Sequence, residues 1–71
     1  MNESIVTIDQ EILGGTPVFT GTRVPIAVLF ENLADGLSLD EILDSYPTLQ
    51  RKQAIAALYK AELFFEQREA A

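Results

Sequence analysis

The sequence predicts a mainly α-helical protein with a short β segment at its N-terminus, on three observations. Three of the four glycines and two of the three prolines fall within residues 1–25. β-Branched residues cluster in that same region, as they do in strands. From residue 26 onward, apolar residues recur at helical spacing in three successive stretches. We therefore divide the 71 residues into an N-terminal β arm, residues 1–25, and a three-helix unit, residues 26–71, which together form one domain.

Two segments of the β arm are predicted to be short strands. Residues 5–8 are rich in β-branched side chains, and residues 17–20 begin with a proline, which is tolerated at the first position of a strand. Gly14 and Gly15 indicate a turn between the two segments. Because two short strands are weakly stable alone in water, we expect them either to lie on the helices or to pair with another chain.

The first helix is predicted over residues 25–35. Pro25 suits the first turn of a helix, where no backbone N–H donor is needed. Gly36 suits the position just after the last turn. The residues at spacing i, i+3, i+4 and i+7 are apolar and define the buried face: Ile26, Leu29, Phe30 and Leu33.

The second helix has sequence signals at both ends. Ser38 and Glu41 have the spacing of a capping box, in which each side chain accepts a hydrogen bond from the other residue's backbone N–H. Pro47 ends the helix near Tyr46. Its apolar face is predicted to comprise Leu39, Ile42, Leu43 and Tyr46.

The third helix is predicted to run to about residue 68, with Thr48 as its N-cap. One face is predicted to be core and comprises Ala54, Ala57, Leu58, Ala61, Phe64 and Phe65. Tyr59 and Leu63, one turn apart, point in roughly the opposite direction, and one core cannot cover both faces. We interpret Tyr59 and Leu63 as a contact with a partner or in a dimer. We assign the strand residues Ile5 and Ile8 to the same contact. Two ordinary exposed apolar residues are the alternative.

The chain is small for a self-sufficient domain. The apolar surface buried on folding would contribute about 105 kcal/mol, and ordering all the residues would cost about the same. The sequence contains no cysteine or histidine, so neither a disulfide nor an ordinary zinc site can add stability. We expect association to supply the missing stability, either in a homodimer or with another partner.

Composition excludes several classes of protein. With 48% hydrophobic residues and a mean hydropathy of +0.14, the chain is not disordered. The longest proline-free apolar run, residues 54–59, is too short to cross a membrane, and the first four residues lack the positive charge of a signal peptide. We therefore expect a cytoplasmic protein.

Catalysis is not expected either. Without cysteine and histidine, no Cys–His or Ser–His pair can activate a nucleophile. Two pairs of carboxylates lie one helical turn apart, Asp40 with Asp44 and Glu62 with Glu66, and we interpret both as solvated faces rather than metal ligands. We therefore expect neither an enzyme nor a bound metal or cofactor.

The start of the last helix carries a candidate DNA contact. The short turn between the second and third helices has helix-turn-helix spacing, which would direct the opening residues of the third helix toward a major groove. These residues are Gln50, Arg51, Lys52 and Gln53, whose side chains suit bases and phosphates. A net charge of −6 and a pI of about 4.3 disfavour a general nucleic-acid binder, and a solvated first turn is the alternative.

Arg23 could reach a phosphate, but we expect it to hydrogen-bond carbonyls of the N-terminal loop.

Several stretches together carry a resemblance to a known family: ILGGTPVFTGTRVPI at 12–26, LADGLS at 33–38, YP at 46–47 and IAAL at 55–58. In these stretches the chain resembles the DUF433 family of small bacterial and cyanobacterial proteins, from about residue 5 to residue 61. The resemblance implies a homeodomain-like three-helix unit after a short β segment. It also implies an antitoxin role beside a small PIN-like nuclease toxin, with binding to operator DNA. Family members often carry acids near residues 50–53, where this chain has QRKQ, and this departure favours DNA contact.

Two hypotheses therefore stand side by side. In the first, the chain is the antitoxin of a bacterial toxin–antitoxin pair, which binds a PIN-like nuclease and its own operator DNA through the last helix; the acidic surface would attract a basic nuclease. In the second, it is a homodimeric protein-interaction module with no nucleic-acid binding, in which the strands pair across the dimer. Burial of Arg51 and Lys52, or their pairing with Glu62 or Glu66, would favour the second.

Overall fold

The computed structural model describes residues 4–69. The protein is mainly α-helical with a short two-stranded antiparallel sheet at its N-terminus, which confirms the predicted fold class. The elements in chain order are β1 Val6–Thr7, β2 Val18–Phe19, α1 Ile26–Ala34, α2 Leu39–Ser45 and α3 Arg51–Glu69. The outer ends of the two predicted units, residues 1–3 and 70–71, lie outside the described residues.

The two strands pair with each other within one chain. Val6 lies opposite Phe19 and Thr7 opposite Val18. The ladder is extended at one end by the Thr20 N–H, which donates to the Ile5 carbonyl at 2.9 Å. Both strands are shorter than predicted, because the chain leaves the sheet after Thr7 and exposes the next side chain. Pairing of these strands across a dimer is therefore not needed to form the sheet, although the outer edge of β1 stays open.

The loop between the strands contains a left-handed turn over Leu13–Gly15. Its three residues have φ angles of 49°, 63° and 94° for Leu13, Gly14 and Gly15, so the predicted turn at the two glycines is confirmed. A side chain on Gly15 would come within 3.0 Å of the Gln10 amide nitrogen. Leu13 adopts the left-handed region despite its Cβ, which costs a leucine about 1–2 kcal/mol.

The ends of α1 and α2 follow the sequence signals. After α1, Gly36 has φ 96°, and the Leu37 N–H donates to the Asn32 carbonyl at 3.0 Å, which closes the helix end. The capping box of α2 is complete. The Glu41 N–H donates to the Ser38 hydroxyl at 3.1 Å, and the Ser38 N–H donates to the Glu41 carboxylate at 2.7 Å.

The third helix begins later than predicted, so Thr48 is not its N-cap. Leu49 is only 4% exposed, and its N–H donates to the Tyr46 carbonyl at 2.9 Å. Drawing Leu49 into the core makes a turn that delays the helix to Arg51. The residue before the helix is then Gln50, whose N–H donates to the Gln53 side-chain oxygen at 3.0 Å. Gln53 thus supplies one half of a capping box.

The core lies where β2, α1, α2 and the first half of α3 meet. Its buried members are Phe19, Val24, Leu29, Ile42, Leu49, Ala54 and Ala57. The predicted core face of α3 is correct as far as Ala61, which is half-buried, and is wrong beyond it. Phe64 and Phe65 are 51% and 60% exposed, because the core cluster ends at Leu58 and α3 continues past it.

Candidate interaction surfaces

The four residues proposed to contact DNA do not form one uniform surface. Gln50, Arg51 and Lys52 are exposed at the start of α3, whereas Gln53 is half-buried. Gln50, Lys52 and Gln53 line a groove of about 800 Å³ between the β1 edge and α3. Within residues 4–69, the Lys52 side chain forms no hydrogen bond or ion pair, so its ammonium group is available to an anionic ligand.

Arg51 is engaged by α2. Its guanidinium donates to the carboxylate of Asp40, and the two side chains are 57% and 75% exposed. An exposed pair of this kind contributes about 0–1 kcal/mol, so a phosphate could replace Asp40 at little cost. The pairing partner is not Glu62 or Glu66, and Arg51 is not buried.

Gln53 connects the sheet to α3. Its side-chain nitrogen donates to the Thr20 carbonyl at 2.8 Å, and its side-chain oxygen accepts from the Gln50 N–H at 3.0 Å. Both ends of the amide are therefore used inside the molecule. Its position makes it a residue that holds the groove in shape.

Two further grooves adjoin the first. One of about 500 Å³ includes Arg23 and shares Thr7, Gly21 and Thr48 with the first groove. The other, of about 220 Å³, includes Lys60. None of the described residues that line the three grooves is acidic, and each groove has one basic residue, although the chain has 11 acids and five bases. We call this side of the molecule the acid-free face.

Five of the 11 acidic residues lie together, away from the lining of these grooves. Five exposed carboxylates lie on or beside α1 and α2: Glu31, Asp35, Asp40, Glu41 and Asp44. The net charge of −6 therefore does not describe the lining of the three grooves, although exposed acids adjoin it: Asp9 and Glu11 flank Ile12 of one groove, and Glu62 follows Ala61 of another. A localised contact with an anion is compatible with an acidic chain when the contact itself is lined by a basic residue.

Arg23 does not hold the N-terminal loop as expected. It is exposed and, among residues 4–69, forms no hydrogen bond. The loop is closed by Thr22, which is only 8% exposed. Its hydroxyl donates to the Phe19 carbonyl at 2.8 Å and accepts from the Val24 N–H at 2.9 Å. An ST-turn pattern at Thr22 was the available sequence signal.

The candidate partner-contact residues differ in their exposure. Tyr59 and Leu63 are 64% and 54% exposed on α3, and Ile8 is 67% exposed in the loop after β1. Ile5 is half-buried and packs against the core, so it offers less surface than the others. The apolar surface available to a partner therefore lies mainly on α3.

The fold and these surfaces define a small helical protein with a β hairpin, an acid-free face and an exposed apolar helix end. No helix within residues 4–69 has the length and apolar character needed to cross a membrane. The family model described as Protein of unknown function (DUF433) matches residues 6–59, and the chain belongs to this family.

One curated relative is 43% identical to this chain over 56 residues, the "Uncharacterized protein y4eO" of Sinorhizobium fredii (strain NBRC 101917 / NGR234). The alignment covers 78% of this chain and 25% of the relative, so the chain spans about a quarter of that protein's length. No solved structure matches the chain.

Proposed function

We propose that the chain is the antitoxin of a bacterial toxin–antitoxin pair and that it binds a PIN-like nuclease toxin. One observation carries the proposal: Tyr59 and Leu63, more than half exposed, lie one turn apart on α3 and continue a face that begins at the exposed Ile55. Large apolar side chains in such a place are typical of a protein contact. Aromatic residues of this kind often dominate the energy of an interface.

The acidic residues near Tyr59 and Leu63 support a basic partner. Glu62 and Glu66 lie on the same part of α3 as Tyr59 and Leu63, and both are exposed. An enzyme that binds RNA presents basic residues around its substrate site, so opposite charges would steer the two proteins together. The antitoxin would have no catalytic function and no cofactor, and it would act in the cytoplasm, where both its toxin and its operator are found.

The test is co-expression of the full chain with the nuclease encoded beside its gene. We expect the two proteins to elute as one complex, ribonuclease activity to fall on mixing, and Tyr59→Ser with Leu63→Ser to weaken binding more than tenfold. Lys52→Ser is the matched control, because it lies on the acid-free face and should leave this complex intact. Separate elution of the two wild-type proteins would contradict the proposal.

Operator binding is the second part of the proposed role. The acid-free face supports it, because Gln50 and Lys52 lie at the N-terminus of α3, where backbone N–H groups also favour a phosphate. We expect the duplex upstream of the gene to bind the chain at low salt. Lys52→Ala should weaken binding and lower the slope of log affinity against log salt by about one, whereas Tyr59→Ser should change neither. Absence of binding at low salt would remove this part.

A homodimeric interaction module without nucleic-acid binding is the second candidate function. Gln53, one of the four proposed DNA contacts, already uses both groups of its side-chain amide inside the chain, and this favours the second candidate. Arg51 does not favour it, because Arg51 is exposed and pairs with Asp40 rather than with Glu62 or Glu66. The salt-dependence experiment separates the two candidates, since only the first predicts binding to DNA.

A further inference from the structure

The groove of about 800 Å³ between β1 and α3 contains two groups of polar side chains. On the sheet side the hydroxyls are paired, since those of Thr7 and Thr20 share a hydrogen bond of 2.8 Å. On the α3 side, Thr48, Gln50 and Lys52 are exposed, and within residues 4–69 their side chains form no hydrogen bond or ion pair. Hydroxyl, amide and ammonium groups are donors that bind phosphate oxygens in protein–DNA complexes. The groove therefore holds several donors that are free for an anionic ligand.

Lys60 continues this set of donors along α3. Lys52, Ala56 and Lys60 recur at every fourth residue, so they lie along one ridge of the helix. Lys52 and Ala56 line the groove of about 800 Å³, whereas Lys60 lines the groove of about 220 Å³, and Ile5 and Val6 belong to both linings. The Cα atoms of the two lysines are about 12 Å apart along the helix. The small alanine between them lets an extended ligand approach the helix backbone.

No acid of α3 is placed to pair with either lysine. Helical neighbours are the residues three and four positions away. For Lys52 and Lys60 these neighbours are Thr48, Leu49, Ile55, Ala56, Ala57, Leu63 and Phe64, none of which is acidic. Glu62 is two residues from Lys60 and therefore lies about 200° away around the helix. Among residues 4–69, Lys60 is exposed and forms no hydrogen bond or ion pair, so its charge is as available as that of Lys52.

Arg23 lies on the other side of the groove that contains Lys52. The groove of about 500 Å³ that Arg23 lines shares Thr48 with the groove of Lys52. Arg23 is exposed, and within the described part of the chain it has no partner, although the exposed Asp9 and Glu11 lie near the same groove. Three adjoining grooves therefore carry one unpaired cation each, with that of Lys52 in the middle.

The separation of these cations indicates the kind of anion that fits them. Each lies in a different groove, so the three do not converge on one small anion such as free phosphate. An extended polyanion can reach all three. The distance of about 12 Å between Lys52 and Lys60 corresponds to the axial rise of about three to four nucleotides in one DNA strand.

We infer that one strand of duplex DNA lies along these three grooves, with its phosphates bound by Arg23, Lys52 and Lys60. This inference rests on the operator binding proposed above and extends it. The helix-turn-helix arrangement considered there uses only the opening residues of α3, whereas this path continues for two further turns to Lys60 and reaches the β arm at Arg23. Thr48 and Gln50 supply uncharged donors between the cations.

The salt dependence of binding to the duplex upstream of the gene tests the inference. Each phosphate contact contributes about 0.9 to the slope of log affinity against log salt. We expect Arg23→Ala, Lys52→Ala and Lys60→Ala each to lower the slope by about 0.9, and the triple variant to lower it by about 2.7. Ala34→Glu is the matched control, because it makes the same change in net charge at an exposed position of α1 outside the three grooves, and it should leave the slope unchanged.

The outcomes separate this inference from the operator binding on which it rests. If the wild-type chain binds the duplex and either Arg23→Ala or Lys60→Ala leaves the slope unchanged, the inference fails and operator binding stands. If Ala34→Glu lowers the slope as much as Lys60→Ala, the effect is one of net charge, and the inference again fails. Absence of wild-type binding at low salt overturns both. Circular dichroism of each variant shows whether its helices stay folded.

Ethylation interference tests the path of the strand. An ethyl group removes the charge of one phosphate, and a variant that lacks the contacting side chain no longer loses affinity when that phosphate is modified. We expect Lys52→Ala and Lys60→Ala to become insensitive at two different phosphates of the same strand, about three to four nucleotides apart. Insensitivity at phosphates of opposite strands, or at no phosphate, would contradict the proposed path.

Discussion

The two halves of α3 have the same apolar spacing and opposite surroundings. In the first half, Ala54 and Ala57 are buried; in the second half, Phe65 on the same face is mostly exposed. The difference comes from the neighbouring elements. The helix has 19 residues, whereas α1 has nine and α2 has seven, so α3 is about 28 Å long and the other two are about 14 Å and 10 Å. Helical spacing selects a face, but the length of the opposing elements determines how much of that face is buried.

The sizes of the side chains on this face also differ between the two halves of α3. The first half of α3 places alanines against the core, which lets the helix backbone approach Phe19, Leu29 and Ile42 closely. The second half carries its large aromatic residues beyond the end of the core cluster, where both are more than half exposed. The small side chains serve folding, and the large ones are available for association.

The largest expected effect comes from a charge placed in each half. Ala54→Asp would bury an uncompensated carboxylate and should destabilise the fold by about 3–5 kcal/mol, enough to unfold a domain of this size. Phe65→Asp places the same group in solvent and should leave the free energy of unfolding of the monomer nearly unchanged. Urea denaturation at a concentration where the chain is monomeric gives both values. Similar losses in the two variants would contradict the division of α3.

Gln53 should contribute most of the polar stabilisation of the first half. Gln53→Ala removes the bonds to Thr20 and Gln50 together, and we expect a loss of about 1–3 kcal/mol. Gln50→Ala is the control, because only its backbone takes part. Thermal unfolding of both variants measures the difference, and a stable Gln53→Ala variant would show that the bridge between the sheet and α3 is dispensable.

The capping box of α2 supports the first half indirectly, since α2 supplies Ile42 to the shared core. Ser38→Ala should destabilise the protein by about 1 kcal/mol. Ser45→Ala, at the other end of the same helix, should have a much smaller effect. Amide hydrogen exchange adds a sharper readout: protection should fall in α2 and in the first half of α3, and not in the exposed end.

The ion pair between α2 and α3 should have the smallest effect. Arg51→Ala removes the contact with Asp40 and should change the stability by less than about 1 kcal/mol, because both side chains are largely exposed. The difference from wild type should disappear in high salt. A large loss of stability that persists in high salt would mean that the Arg51–Asp40 pair is needed to hold α3 on the core.

Local signals in the sequence predicted local structure well. The capping box at Ser38, the left-handed Gly36 and the turn at Gly14 and Gly15 all lie where expected, because each depends on residues only a few positions apart. The apolar face of α3 was also correct in direction. The candidate contact Tyr59 was exposed as predicted, since the opposite face was already assigned to the core.

The predictions that were wrong concern features whose structure depends on contacts between distant parts of the chain. Thr48 has a good capping side chain, but burial of Leu49 moved the start of the helix. The exposure of Phe65 depends on where α1 ends, and the spacing of residues within α3 gives no information about that position. The role expected of Arg23 belongs to Thr22, whose short side chain fits under a tight turn. Gln53 reaches Thr20, 33 residues away, and no local pattern marks that contact.

The uncovered end of α3 has a consequence for the lifetime of the chain in the cell. A helix end that extends beyond the core cluster opens at a low free-energy cost, and proteases cleave segments in proportion to the time that they spend open. A copy whose helix end is occupied would therefore be degraded more slowly than a bare copy. The steady amount of this protein would rise and fall with the supply of whatever occupies that end, even at a constant rate of synthesis.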